Sequence, residues 1–234
     1  THQPQATTIV GNLPQAFTPI PNGVQADVTL VSGTVNDPNV RVTTSIPGTG
    51  GLRDTITVSS DTVILNWSPF DTDIGGGSID FLPADNALTF QRDNADFTVL
   101  NRIIPTDPNR PVQFNGLVES FTDTNVVGGT LWFYSPGGIV IGSGAQFDIG
   151  SLLLTSTDID TSGGLLGGGS QIRLTGTAGG GSVVVENGAT INANTNAASY
   201  VAMVAPLVNQ GGTVQVDGSA AYVGAQQATL TIDN

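Results

Sequence analysis

The 234-residue sequence has no cysteine and no lysine, a single histidine and a single methionine, and only 11% charged and 6% aromatic residues. Without cysteine there are no disulfide scaffolds, thiolate zinc sites, iron-sulfur centres or cysteine nucleophiles. Without lysine there is no Walker-type phosphate loop, no Schiff base and no lysine-asparagine isopeptide staple. The six arginines are scattered and outnumbered by 19 acidic residues, giving a net charge of -13 and a pI near 4.1. Phosphate-backbone binding needs a cationic stripe, so nucleic acid is excluded as a partner. The longest apolar stretch, from Tyr200 to Val208, is broken by Pro206 and is far below the ~18 residues that span a bilayer, so no integral membrane segment is expected. His2 lies in a terminal segment with no catalytic partner, which leaves nothing for a covalent triad.

What is present is glycine, proline and small polar residues. The 31 glycines and 13 prolines make about a fifth of the chain, below the ~25–30% of low-complexity sequence, so the chain is expected to fold. The sequence begins at Thr1, which implies a removed signal peptide or tag, or a fragment. Residues 1–23 carry four prolines and little alternation, and read as an extended lead-in or cap segment; residues 24–234 read as one β domain. Strand-like runs recur between glycine and asparagine turns at 28–35, 55–67, 78–82, 88–90, 97–104, 129–135, 139–142, 145–150, 151–156, 182–188, 189–193, 213–218 and 228–232. No convincing 3.6-residue apolar period interrupts them, so the chain is all-β.

A repeat decides between sandwich and solenoid. Residues 141–149 align with 185–193 and with 208–216, at offsets of 44 and 23, and 44 reads as two steps of 22. That period fits one coil of a right-handed parallel β-helix with three short strands per turn. Phe147/Ile149, Ile191/Ala193 and Val214/Val216 should then stack inside it, and about ten coils at the ~4.8 Å strand spacing would make a rod of about 50 Å. The run from Leu131 to Tyr134 is bulky on both faces, which calls for a layer outside the coil, supplied by residues 96–127 or by the N-terminus. An open terminal coil is a sticky edge, and the first 30 residues are the natural cap. The glycine-rich residues 161–170 form a loop or an interrupted turn.

Five short motifs occur in one order. These are Asn66-Trp67-Ser68-Pro69-Phe70, residues 78–83 (SIDFLP), Val99-Leu100-Asn101-Arg102-Ile103, Gly129 through Ile139, and Gly144 through Ile159. Together they resemble the N-terminal secretion and haemagglutination domain of two-partner-secreted, filamentous-haemagglutinin-type exoproteins. Ser135 and Gly137 stand at turn positions where the usual motif has asparagines. The resemblance implies a β-helix with an N-terminal cap and extra-helical strands. It also implies export through an outer-membrane transporter of a Gram-negative bacterium, a location outside the cell or on its surface, and a part in a large adhesin. The motif residues Asn66, Trp67, Phe70, Asn101, Arg102, Ser135, Pro136, Gly137, Gly138 and Ile139 are then structural and secretion residues, and no cofactor is implied.

Other chemistry is weighed against this. Asp71, Asp73 and Asp80 hint at a calcium loop, but Gly75 and Leu82 occupy positions that an EF-hand fills with ligands, so at most weak calcium binding is expected near residues 71–80. A polysaccharide-acting β-helix enzyme would need clustered carboxylates, and Asp148, Asp158 and Asp160 with Arg173 are the closest grouping. Asp148 alternates with inward residues and should face water. Arg102, among apolar neighbours, is expected to be partly buried and paired with Asp96 or Asp107. Asn101 reads as a turn or ladder asparagine. Trp67, Trp132, Tyr134 and Tyr222 read as core in preference to a glycan-stacking surface. A surface receptor or glycan is a candidate partner. The alternative to an adhesin module is a self-assembling fibre subunit, a homo-polymer completed by the N-terminal segment of the next copy.

Overall fold

A computed structural model describes residues 6–7, 26–29, 40–45, 51–69, 77–162, 171–175 and 180–232. Three flat faces wind into a parallel β-helix. Face I stacks Thr62–Pro69, Thr98–Ile103, Thr130–Tyr134, Ser151–Thr155, Tyr200–Ala205 and Ser219–Gly224. Face II stacks Arg53–Val58, Ala87–Gln91, Leu117–Asp123, Gln146–Asp148, Thr190–Ala193 and Thr213–Val216. Face III stacks Ile79–Leu82, Val112–Phe114, Gly138–Ile141, Ser182–Val185 and Val208–Gln210. The right-handed parallel β-helix read from the sequence is therefore the fold.

The period-2 alternation of each strand sends one set of side chains inward. On face I the inward column runs Leu65, Asn101, Phe133, Leu154, Met203 and Tyr222. On face II it includes Leu88, Val118, Phe147, Ile191 and Val214. The expected stack of Phe147, Ile191 and Val214, with Ala193 over Val216, is thus in register. Aromatic rings fill the axis, with Trp67 edge-on to Phe81 and Phe114 touching Phe81, Phe133 and Phe147 at centroid distances of 5.0–5.7 Å. Such contacts add to plain burial by ~0.5–1.5 kcal/mol each. The tight corners put Asp85, Asn94 and Asn125 at positive φ, a region that Asp and Asn tolerate best among side-chain-bearing residues.

The coil length is not constant, which corrects the uniform 22-residue reading. Val63, Val99, Leu131, Leu152, Val201 and Ala220 follow one another up face I at steps of 36, 32, 21, 49 and 19 residues. The offset of 44 is one coil, since Ile141 pairs directly with Val185 and Phe147 with Ile191. Its surplus is the excursion between Thr155 and Ser182, which leaves the coil and contributes Gln171–Leu174 outside it. The offset of 23 holds on face II, where Ile191 pairs with Val214, but slips by two residues on face III, where Val185 pairs with Gln210 and not with Val208. The slip arises because the corner before Thr213 is two residues shorter than the one before Thr190. With six strands on faces I and II, the stack is roughly 24 Å tall at the ~4.8 Å strand spacing, about half the expected rod.

Both sides of the 131–134 run are buried, as its composition requires. Leu131 and Phe133 enter the coil, while Trp132 and Tyr134 join an outer cluster with Leu100, Leu153, Ile159, Ile172 and Leu174. The cover is not residues 96–127, which build the coil itself. It is the antiparallel pair Gln171–Leu174 and Ala228–Thr231. Residues 163–170 of the glycine-rich stretch lie outside the described residues. At the N-terminal side, Ala6–Thr7 pairs parallel and Ala26–Thr29 antiparallel with the first face I strand, and Val40–Ser45 pairs antiparallel with the first face II strand.

Candidate functional site

The motif residues converge on three pins of the coil. The first is inside. Asn101 occupies an inward position between Leu65 and Phe133, fully buried, where an apolar side chain is the rule. Its Oδ1 accepts the Trp67 indole N–H at 2.9 Å and its Nδ2 donates to the Trp132 carbonyl at 3.3 Å. A buried polar group is tolerated only when paired, and here the amide ties the first, second and third face I strands. Asn101 is thus neither at a turn nor in an asparagine ladder, its register neighbours being Leu65 and Phe133, and its amide bridges coils from inside.

The second pin is outside. Arg102 stands in register with Asn66 and Tyr134 on the outward side of face I. Its Nε donates to Asp158 Oδ1 at 2.8 Å and its Nη2 to the Ile159 carbonyl at 2.9 Å. The side chain is 18% exposed, so partial burial and pairing are both present. The partner is Asp158, not Asp96 or Asp107. Asp96 precedes the Arg102 strand and caps the Phe97 amide, whereas Asp158 is brought across by the excursion that follows Thr155. No local signal reveals a pairing 56 residues apart. Tyr134 lies in the same patch, and burial, followed by the nearby Asp158 carboxylate, pushes its phenol up to about 12 despite Arg102.

The third pin is the corner from face I to face III. Ser135 to Gly138 form a β-turn closed by the Gly138 amide donating to the Ser135 carbonyl at 3.0 Å, with Pro136 and Gly137 at its centre. Gly138 has φ of +103°, and a Cβ on Gly137 would strike the Arg110 carbonyl of the preceding coil. Glycine is required at both positions for different reasons, one conformational and one of close approach. The Ser135 hydroxyl is buried with no hydrogen-bond partner among the described residues. Ile139 enters the core fully buried. Phe70, and Asp71 and Asp73 of the calcium-like loop, lie outside the described residues. Asp80, at that loop's far end, receives a hydrogen bond from Asn115 Nδ2 at 2.8 Å, and burial raises its pKa against that bond.

Of the carboxylates weighed for hydrolysis, Asp158 and Asp160 share one segment with Arg173 paired to Asp160, and Asp148 stands on a different face. Asp148 is on face II, half-buried, accepting from Asn192 Nδ2 at 2.7 Å and in register with Glu119. Asp158 and Asp160 lie on the excursion outside face I, paired with Arg102 and Arg173. Hydrogen bonds from Ser162, ahead of the Arg173 charge, lower the Asp160 pKa. Among the described residues no group of three metal-ligating side chains occurs. Trp67, Trp132 and Tyr134 are buried, and Tyr222, 45% exposed, is on the inward side of the last coil.

Among comparisons with known proteins, a family model described as the TPS secretion domain matches residues 31–234. No curated protein matches the chain. The match spans every pin described above.

Proposed function

Since the chain belongs to the TPS secretion domain family, a family of two-partner secretion modules that export large exoproteins by way of an outer-membrane transporter, we propose that it serves as the export and surface-attachment module of a Gram-negative adhesin. The observation that carries this reading is the family match over the whole coil. The pins add a mechanism. Residues Asn66, Trp67, Asn101 and Arg102 and the Ser135 to Ile139 corner hold the first coils together as they form outside the membrane. A stacked coil is wider than an extended chain, so each completed coil opposes return through the transporter. The module occupies the cell surface and works without catalysis. The separation of Asp148 from Asp158 and Asp160, and the engagement of all three by Asn or Arg, support a non-catalytic role.

The test is to express the chain behind a signal peptide in a bacterium with and without its cognate outer-membrane partner and to measure folded protein in the medium. Partner-dependent appearance is expected. Equal appearance without the partner, or retention in its presence, overturns the reading.

A further inference from the structure

Along the corner between faces II and I runs a groove of about 980 Å³, at the upper end of the ~300–1,000 Å³ of ligand sites. Its floor is a column of hydroxyls, one per coil. Thr98, Thr130 and Ser151 are in register on adjacent strands, and Tyr200 follows on the next. At the ~4.8 Å strand spacing, this column is roughly 14 Å long and parallel to the helix axis. The Thr98 and Thr130 side chains are half-buried and make no hydrogen bond to protein among the described residues. The Tyr200 hydroxyl accepts the Trp132 indole N–H at 2.8 Å, while its own proton has no acceptor among those residues.

The walls set the ligand's chemistry. Among the described residues, Asp96 and Asp123 are the only charged side chains lining the groove, and no cationic residue lines it. Val126 and Val127, 50% and 37% exposed, form an apolar wall on a hairpin that projects from the coil. Gly129, at φ +83° on the groove lining, packs against the buried Phe97 ring, which a Cβ would strike. A strand cannot be added to this floor, because the floor strands of the second to fourth coils are already paired on both sides. A ligand must therefore use side-chain hydroxyls spaced by one coil, present many hydroxyls of its own to carboxylates, offer C–H surface to valine, and carry no negative charge.

We propose that this groove binds a linear, uncharged or amino-sugar-containing glycan, lying along the helix axis with about one pyranose ring per coil. The site deepens the attachment part of the function above and is independent of the export part.

The test titrates the folded chain with cellotetraose and chitotetraose as uncharged linear probes and with a heparin tetrasaccharide as the anionic control. Binding is followed by tryptophan fluorescence, since Trp132 is hydrogen-bonded to the floor, and by amide chemical shifts. A saturable response to an uncharged probe is expected, with shifts at Gly128–Thr130, Gly150, Ser151 and Asn196–Tyr200 and none from heparin. The double variant T98V/T130V keeps side-chain shape and should bind about tenfold or more weakly, the loss of roughly two hydrogen bonds, with an unchanged urea midpoint. It should still be exported by the partner, so that failure of the groove and failure of the export reading are read separately. No saturable response to either uncharged probe up to roughly 10 mM, where even a weak site fills, overturns the proposal. So does an equal response to heparin, or undiminished binding by the double variant.

Discussion

Asn101 and Trp67 give the sharpest energetic test, because a buried hydrogen bond is costly to break from one side and cheap to remove from both. In N101L the Trp67 indole N–H, buried in the coil, loses its acceptor at 2.9 Å, at a cost of about 1–3 kcal/mol. In W67F the Asn101 Oδ1 is orphaned for a similar cost, and the smaller ring gives up part of the edge contact to Phe81 at 5.3 Å, adding about 1 kcal/mol. The double variant orphans neither atom, so it should be about 2 kcal/mol more stable than the sum of the single changes predicts. Urea unfolding followed by far-ultraviolet circular dichroism measures this without relying on the altered indole, and an unchanged slope m shows that the transitions are comparable. Additivity within about 0.5 kcal/mol would refute the reasoning, since it would mean that the amide and the indole do not depend on each other.

Four further outcomes are expected. Replacing Arg102 by Met should free the excursion after Thr155, seen as faster amide exchange at Asp158 and Ile159, at a cost of about 1 kcal/mol given the partial exposure of the pair, and Arg102→Lys should restore little because it cannot reach both acceptors. Gly137→Ala should lower the urea midpoint strongly through its clash with the Arg110 carbonyl, whereas Gly77→Ala and Gly180→Ala, whose added methyl meets nothing among the described residues, should stay within about 0.5 kcal/mol of the parent. Ser135→Ala should leave stability unchanged or raise it by up to about 1 kcal/mol, because the hydroxyl is buried without a partner among the described residues. Asp80 binds its proton more tightly folded than unfolded, so its contribution is full below the ordinary value of 3.8 and is lost as pH rises through the raised one; the stability of the parent relative to Asp80→Asn should fall over that window in urea titrations.

The interior was legible in the sequence because it is written as alternation. The run 97–104 carries its inward and outward sets in a two-residue period and pairs as that period demands, while the run 55–67 does so in two pieces, Arg53–Val58 on face II and Thr62–Pro69 on face I, with a corner between them that shifts the parity of the inward set. The bulk on both sides of Trp132 likewise required an outer layer, which is present. What covers that layer was not legible. Gln171–Leu174 and Ala228–Thr231 meet across more than fifty residues, and their alternation is equally compatible with a place in the coil. The coil count failed for the same reason, since a fixed period cannot anticipate an excursion that leaves the stack and returns in register. The strands Val112–Phe114 and Leu117–Asp123 were missed because three residues, or a run with outward Glu119 beside inward Val118 and Ser120, give too little apolar contrast. At the site, Asn101 and Arg102 stand out as polar residues in an apolar run, but their partners are fixed only by stacking.

The two ends of the stack are chemically different, and this bears on how such a module could build itself. At the first coil, the leading face I strand has the N-terminal segments Ala6–Thr7 and Ala26–Thr29 against it, and the leading face II strand has Val40–Ser45, so on two of the three faces the edge that would template another chain is occupied; on face III Ile79–Leu82 pairs on one side only among the described residues. At the last coil, Val208–Gln210, Thr213–Val216 and Ser219–Gly224 each pair on one side only among the described residues. Their inward residues Val214 and Val216 are half-exposed, and Tyr222 is 45% exposed over Met203. A coil laid on this end gains apolar burial and strand hydrogen bonds on all three faces at once, whereas a coil offered to the other end meets strands already paired on faces I and II. Growth by stacking is therefore favoured in one direction, from the pinned coils bearing Trp67, Asn101 and Arg102 toward the last. Under export through a pore, that polarity matters more than the total stability, because it makes the coils that form first the ones that are sealed.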